Sequence, residues 1–272
     1  MRAQWELAAP GWNAHAAQIR AWLGPATEAM LNMAGVTQGM HVLDVAAGAG
    51  DQTLDIAERV GPTGEVLATD LSPAILALAA DNARRAGHAQ VRTRVADAED
   101  LGLPTATFDA AICRLGLMFL PDPLQGLCEM ARVLRPGGRL CTMVFSRPEA
   151  NPCVTLMMRV ALQHAGVPPA DPFKPGGLLS LGKPGLIDEL FLAAGLHDVI
   201  TTTITAPFRL PRVGDYLDFV RASASPIRQI LGRLDAARQQ AAWDDMEERL
   251  RTFDTPQGWA GPNELLLTSA RR

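Results

Sequence analysis

Between His41 and Phe145 five short apolar runs alternate with segments of helical period, and this alternation constrains the chain more than any other feature. The runs His41–Ala46, Glu65–Asp70, Val91–Val95, 109–113 and Arg139–Phe145 read as strands. Asp51–Val60, a segment capped by Ser72 with Pro73 at its first position and ending before Gly87, and Asp122–Leu134 read as helices. Strands separated by helices of ten or more residues form βαβ units, hence a parallel sheet with helices on both faces. Threonine-rich 198–207 and apolar 264–269 supply a sixth and a seventh strand. The expected fold is α/β: a Rossmann-like, doubly wound, mostly parallel seven-stranded sheet. In such sheets ligands bind beyond the carboxyl ends of the strands, where the strand order switches.

The flanks are helical. Residues 5–35 read as helix interrupted at Pro10-Gly11 and Gly24-Pro25, and carry Trp5, Trp12 and Trp22. Residues 153–166, 184–194, 216–222 and 227–250 also read as helices, the first two separated by a Pro/Gly-rich stretch from Pro168 to Gly177. The expected organisation is an N-terminal helical lid over 1–36, a core over 37–208 and 263–272, and a helical cap over 209–262.

With 272 residues, 48% hydrophobic and 20% charged, the chain is long enough for one large domain and too apolar to be disordered. A net charge of −4 counts against a nucleic-acid partner, which needs clustered Lys and Arg. Cys113, Cys128, Cys141 and Cys153 form no C-x-x-C pair and have no His at ligand spacing, so neither a metal site nor a disulfide framework is expected. No apolar stretch approaches the ~20 residues of a membrane span. The N-terminus carries Arg2 and Glu6 and no apolar signal core, which reads as cytoplasmic.

Two motifs carry chemistry. Val42-Leu43-Asp44-Val45-Ala46-Ala47-Gly48-Ala49-Gly50 runs from strand through a glycine turn into a helix, whose first N–H groups lack partners and suit a ligand. It is neither a dinucleotide fingerprint, because Thr53 stands at the third glycine position, nor a Walker loop, because no Gly-Lys-Ser/Thr follows. Asp70 ends the second strand, 20 residues after Gly50, where a carboxylate can accept from both ribose hydroxyls. A nicotinamide site would share these two features. It would not explain the block around Asp97 or the Pro136-Gly137-Gly138 turn.

Five blocks in order resemble the class I S-adenosylmethionine-dependent methyltransferases, of the group that includes the ubiquinone/menaquinone-biosynthesis enzymes. They are the 42–50 motif, Ala68-Thr69-Asp70-Leu71-Ser72-Pro73, Val95-Ala96-Asp97-Ala98-Glu99, Phe108-Asp109-Ala110-Ala111-Ile112-Cys113-Arg114, and Arg132-Val133-Leu134-Arg135-Pro136-Gly137-Gly138-Arg139-Leu140. The resemblance implies an enzyme that moves a methyl group from S-adenosylmethionine to a small organic acceptor, with S-adenosylhomocysteine as product. It implies Asp44 near the methionine ammonium, and Gly48 and Gly50 against the methionine and ribose. It further implies Asp70 on the ribose hydroxyls, Leu71 against the adenine, Asp97 and the Ala98 N–H on the adenine edge, and the Cys113 and Arg114 backbone near the transferred methyl. One departure is Ala46, where the family has glycine; a slight restriction of backbone approach is expected. A cofactor-binding module without chemistry, or an enzyme acting on a macromolecule, stay open as alternatives.

A methyl sulfonium is already activated, so alignment and exclusion of water carry much of the rate, and a base is needed only where the acceptor must lose a proton. His15 in the N-terminal segment and His164 after the fifth strand are the candidate bases; either is also readable as a surface residue. His41, His88 and His197 read as structural or exposed. Arg114 either binds an acidic acceptor or pairs with a nearby carboxylate. Trp12, Met118 and Phe119 are candidate pocket residues, with core packing as the other reading of the 117–119 run.

Overall fold

A computed structural model describes residues 2–169, 171–223 and 225–272. Its centre is a seven-stranded sheet of order β3-β2-β1-β4-β5-β10-β6. The strands are β1 (His41–Val45), β2 (Glu65–Asp70), β3 (Val91–Val95), β4 (Phe108–Arg114), β5 (Leu134–Phe145), β6 (His197–Thr205) and β10 (Glu264–Arg271). β10 lies antiparallel between β5 and β6, and the other pairs are parallel. β1 and β4 are buried almost throughout, as expected of strands covered on both faces. β5 begins five residues before the expected Arg139. A register shift opposite Phe108–Ala110 absorbs the Pro136-Gly137-Gly138 turn.

The helices on the sheet start where their caps say. α3 (Asp51–Val60) follows Gly50 in the left-handed region. In α4 (Pro73–Arg85) the Ser72 hydroxyl accepts from the Ile75 N–H, and in α5 (Pro123–Val133) the Asp122 carboxylate accepts from the Gln125 N–H.

The N-terminal helices break elsewhere than expected. α1 (Arg2–Ala14) runs through Pro10 and α2 (Ala16–Met33) runs through Gly24-Pro25; the break falls at His15. A mid-helix proline costs about 3 kcal/mol, but α2 buries Ile19, Leu23, Ala26, Met30 and Leu31 against the core. Burial at about 1.5–3 kcal/mol per large side chain exceeds that cost. α2 is thus packed as a flanking helix of the sheet, with Arg139 donating to the Met33 carbonyl and Arg59 bonded to Asn32 and Glu28.

Beyond β5 come α6 (Pro152–His164), α7 (Leu186–Ala193), α8 (Val213–Ser223), α9 (Ser225–Leu231) and α10 (Ala236–Leu250). The single helix expected over 227–250 is two helices. The chain turns at Gly232, and Asp235 caps α10 by accepting from the Arg238 N–H at 2.9 Å. A second sheet was not anticipated: β7 (Phe208–Leu210), β8 (Asp254–Thr255) and β9 (Gly258–Gly261), in the order β7-β9-β8. Its Trp259 is fully buried, donates to the Leu250 carbonyl at 2.8 Å and stacks on Tyr216 with centroids 4.7 Å apart. This ties β9 to α10 and α8.

Candidate active site

The strand order reverses between β1 and β4, so the loops after these strands flank one crevice. The loop after β1 turns tightly, with positive φ at Ala46, Gly48 and Gly50 (55°, 58° and 86°). Gly50 is required by packing as well as by its φ, since a Cβ there would lie 3.0 Å from the Ala79 backbone of α4. Asp70 ties this loop to the end of β2. One carboxylate oxygen accepts from the Gly48 N–H at 3.1 Å, and the other from the Ser72 N–H at 3.0 Å. Burial pushes the Asp70 carboxyl up, and the backbone donors at Ser72, Gly48 and Leu71 pull it back. A carboxylate offers about four lone-pair positions, so beside these three donors acceptor capacity stays open for a ribose hydroxyl.

Asp44 lies beneath the same loop, fully buried. Its oxygens accept from the Gln52 amide at 2.7 Å and the Thr53 hydroxyl at 2.6 Å, both in the first turn of α3. Burial raises its pKa to about 6 against the pull of these two bonds and of the Arg114 charge. The carboxylate therefore holds the start of α3 and places a negative charge under the loop.

Across the crevice, β4 ends in Cys113 and Arg114. The Cys113 thiol is fully buried, and burial together with the Asp44 charge pushes it up to about 12, so it stays protonated. The Arg114 guanidinium donates to Asp51 at 2.7 Å and to the Thr27 hydroxyl at 2.8 Å. Of the two expectations for Arg114, the structure gives pairing with a carboxylate. Asp51 also meets Arg20, which bonds Asp55, so β4, α3 and α2 are laced together behind the loop.

Ala46 refines the expected cost of a methyl at this position. A Cβ on Gly116 would lie 2.5 Å from the Ala46 Cβ and 3.1 Å from the Cys113 Sγ. The Ala46 methyl thus occupies the space that Gly116 leaves.

The third block lies beside Asp70, whose carbonyl accepts from the Ala96 N–H at 3.1 Å. The Asp97 carboxylate is exposed and accepts from the Glu99 N–H, while Leu71 and Ala98 are half-buried. The structure thus brings Ala46, Gly48, Gly50, Asp70, Leu71, Asp97, Ala98, Cys113 and Arg114 to the carboxyl ends of β1 to β4, with Asp44 underneath.

α1 lies over the glycine loop. Asn82 of α4 donates to the Ala49 carbonyl at 2.9 Å and to Asn13 of α1 at 3.2 Å. Gly11 packs so closely on the Ala222 carbonyl of α8 that no side chain fits there. Trp12 and His15 both meet Phe219 of α8 edge-on, with centroids at 5.7 and 5.5 Å. His15 also pairs through Nδ1 with Gln18.

The other expected residues lie differently. His164 ends α6 and bonds Asp245 of α10 at 3.0 Å, in a cluster with Arg249. This links α6 to α10, so the His164 ring is paired with a carboxylate. Met118 is core: its side chain is buried and its carbonyl accepts from Ser180 at 2.7 Å. Phe119 is half-buried. Trp22 packs on Phe208 and donates to the Ala206 carbonyl at 2.7 Å. The Trp5 side chain lies outside the described residues.

Clefts of about 410 and 400 Å³ open elsewhere, one beside Arg20, Glu28 and Asp55, the other between α2 and the end of β6. Neither includes a residue of the glycine loop. Among the described residues no cluster of three or more His, Cys, Asp or Glu fits a metal ion, and no helix is long and apolar enough to cross a membrane.

Sequence reasoning missed Gln52, Thr53, Asp51, Asn82, Gly116 and Phe219. Thr53 had left a trace, as the residue that breaks the dinucleotide pattern. Its hydroxyl faces the motif's own acid nine residues upstream, a spacing set by one tight turn. The others gave no local signal, because their partners lie on other elements.

Fold and site together define a Rossmann-like α/β protein with a glycine loop at the switch point and an acid, Asp70, at the end of the neighbouring strand. The model of the ubiE/COQ5 methyltransferase family matches residues 18–163, and the chain belongs to that family. Relatives include ubiquinone/menaquinone biosynthesis C-methyltransferases of Idiomarina loihiensis (41% identical over 119 residues, 43% of this chain and 47% of that protein) and Pasteurella multocida (39% over 123 residues, 45% and 46%). The match spans about half the length of these relatives. Among solved structures, YcgJ of Bacillus subtilis superposes with a TM-score of 0.59 at 19% identity, covering 92% of this chain and 98% of that one. A phosphoethanolamine N-methyltransferase 2 of Haemonchus contortus, in complex with S-adenosylhomocysteine, superposes with a TM-score of 0.59 at 16% identity, covering 96% and 58%. The [4+2]-cyclase SpnF superposes at 0.57 with 23% identity, covering 90% and 79%. These likenesses establish the fold and no more.

Proposed function

We propose that the chain binds S-adenosylmethionine at the crevice between β1 and β4 and transfers its methyl group to a small organic acceptor, releasing S-adenosylhomocysteine. The observation that carries this reading is the Asp70 carboxylate, which ties the Gly48 and Ser72 N–H groups together and keeps acceptor capacity for a ribose hydroxyl. The buried Asp44 charge fits a cationic ligand, whose charge would offset its desolvation. Family membership and the relatives' names support the same reaction.

When bound, S-adenosylmethionine supplies an electrophilic methyl on a good neutral leaving group. In this reading Asp70 holds the ribose, Leu71 packs on the adenine, Asp97 and the Ala98 N–H meet its edge, and the Cys113 and Arg114 backbone borders the methyl. Arg114 is a positioning residue, fixing the end of β4 to α3 through Asp51. α1 and the 209–262 segment exclude water and border the acceptor. His15, on the lid at the ring of Phe219, takes the proton where the acceptor must lose one. The relatives' names support a carbon atom as the methylated position. A small molecule rather than a nucleic acid fits the −4 charge, and the four free cysteines support a cytoplasmic setting.

The second reading, a cofactor-holding protein without methyl transfer, draws on the cyclase that shares this fold. Calorimetry with S-adenosylhomocysteine tests the first step. Binding is expected, and Asp70→Ala should weaken it about tenfold or more through lost charge-assisted hydrogen bonds. No binding to wild type, or unchanged binding to Asp70→Ala, refutes the reading. Transfer of labelled methyl to a panel of small aromatic acceptors separates enzyme from holder.

A further inference from the structure

The Trp12 indole N–H is buried and has no hydrogen-bond partner. An unpaired buried donor costs about 1–3 kcal/mol, and this one sits on the helix that covers the glycine loop. Its neighbours locate it. Asn13, the next residue, is latched through Asn82 to the Ala49 carbonyl, and Gly11, the residue before, is pressed on α8. Trp12 stands edge-on to Phe219, and His15, one helical turn on, meets the same ring. Two other buried polar atoms among the described residues lack partners, Thr142 Oγ1 and Asn263 Oδ1. Both belong to the sheet side of the molecule, at mid-β5 and just before β10, and neither lies on α1.

We propose that the Trp12 indole N–H seats an oxygen atom of the methyl acceptor and so selects acceptors that carry one. This deepens the function proposed above and rests on it. An indole nitrogen only donates, so its partner is a carbonyl, ether or hydroxyl oxygen, or an oxyanion. An alkyl or ammonium group in that place leaves the donor unpaired. The edge of the Trp12 ring and the Phe219 ring beside it suit a flat body behind that oxygen. The Trp12 N–H then fixes the acceptor's orientation relative to the crevice, and His15 lies on the same ring for the departing proton.

The test uses the full chain saturated with S-adenosylhomocysteine, with 1-naphthol and naphthalene as probes in equilibrium dialysis. Wild type is expected to bind 1-naphthol about tenfold more tightly than naphthalene, the size of one good hydrogen bond. Trp12→Phe keeps the ring and removes the donor. It should abolish the preference and leave S-adenosylhomocysteine affinity within about twofold. In wild type, the ¹⁵N indole resonance missing from the Trp12→Phe spectrum should shift with 1-naphthol and stay with naphthalene; this holds even where the variant folds poorly. A retained preference in Trp12→Phe, an unmoved indole resonance, or wild type binding neither probe while binding S-adenosylhomocysteine overturns the inference and leaves the cofactor reading intact. Failure to bind S-adenosylhomocysteine instead strikes the cofactor reading itself.

Discussion

At the scale of single residues, Asp44 states the conflict this site contains. Its carboxylate is fully buried, held by Gln52 and Thr53, and its pKa is raised to about 6 by desolvation. The unfolded chain ionises near 3.8, so between that pH and about 6 the native state binds more protons than the unfolded one. The stabilisation carried by neutral Asp44 is complete below the lower value and is lost as pH rises to the upper. At 1.36 kcal/mol per unit this amounts to about 3 kcal/mol. Asp44→Asn keeps the shape, since Thr53 can turn its hydroxyl to accept from the new amide. Urea unfolding should show the variant gaining on wild type between pH 4 and 6 and holding that gain at pH 7.5, while S-adenosylhomocysteine affinity falls. A difference independent of pH would show that Asp44 is not the titrating group. The motif made an acid at this position legible; its burial was not, because the covering residues come from α3.

At the scale of elements, α1 is tied to the glycine loop by way of α4. Its attachment to the loop runs through one side chain, Asn82, which bonds Asn13 and the Ala49 carbonyl together. Asn82→Ala should loosen both. Amide exchange over residues 2–14 is expected to quicken at least several-fold, and S-adenosylhomocysteine should dissociate faster with little change in melting temperature. Unchanged exchange would mean that the contacts of Gly11 and Trp12 with α8 hold α1 alone. Strands β1 to β4 were legible to within a residue or so because apolar runs between caps and glycine turns are local signals. The N-terminal breaks were misread for a local reason too: proline and glycine disfavour helix, but α2 is held by burial of Leu23, Met30 and Leu31 against partners far along the chain. The Gly232 turn and the Asp235 cap were readable and overlooked, whereas the β7-β9-β8 sheet joins segments more than forty residues apart and leaves no periodic mark.

At the scale of the whole molecule, one contiguous core links α2, the central sheet and the cap. Phe208, Tyr216 and Trp259 join the second sheet to α8, and Trp22 joins Phe208 to Phe145 at the end of β5. A single thermal transition is therefore expected, seen alike by tryptophan fluorescence and by far-ultraviolet dichroism. S-adenosylhomocysteine at 100 times its Kd should stabilise the fold by about 2.7 kcal/mol and raise the transition by several degrees. Early melting of the 209–262 segment would contradict the shared core.

By itself the sequence determined the strand–helix alternation, the glycine turn and the acids at its ends, because each is encoded by neighbours within a few residues. Only the tertiary structure decided that Arg114 spends its charge on Asp51, that His164 belongs to Asp245, that Gly116 makes room for Ala46, and that the Trp12 N–H is buried without a partner. Such pairings depend on which surfaces meet when helices and sheet pack, and the elements that meet are separated by tens of residues, where a local pattern carries no information about contact.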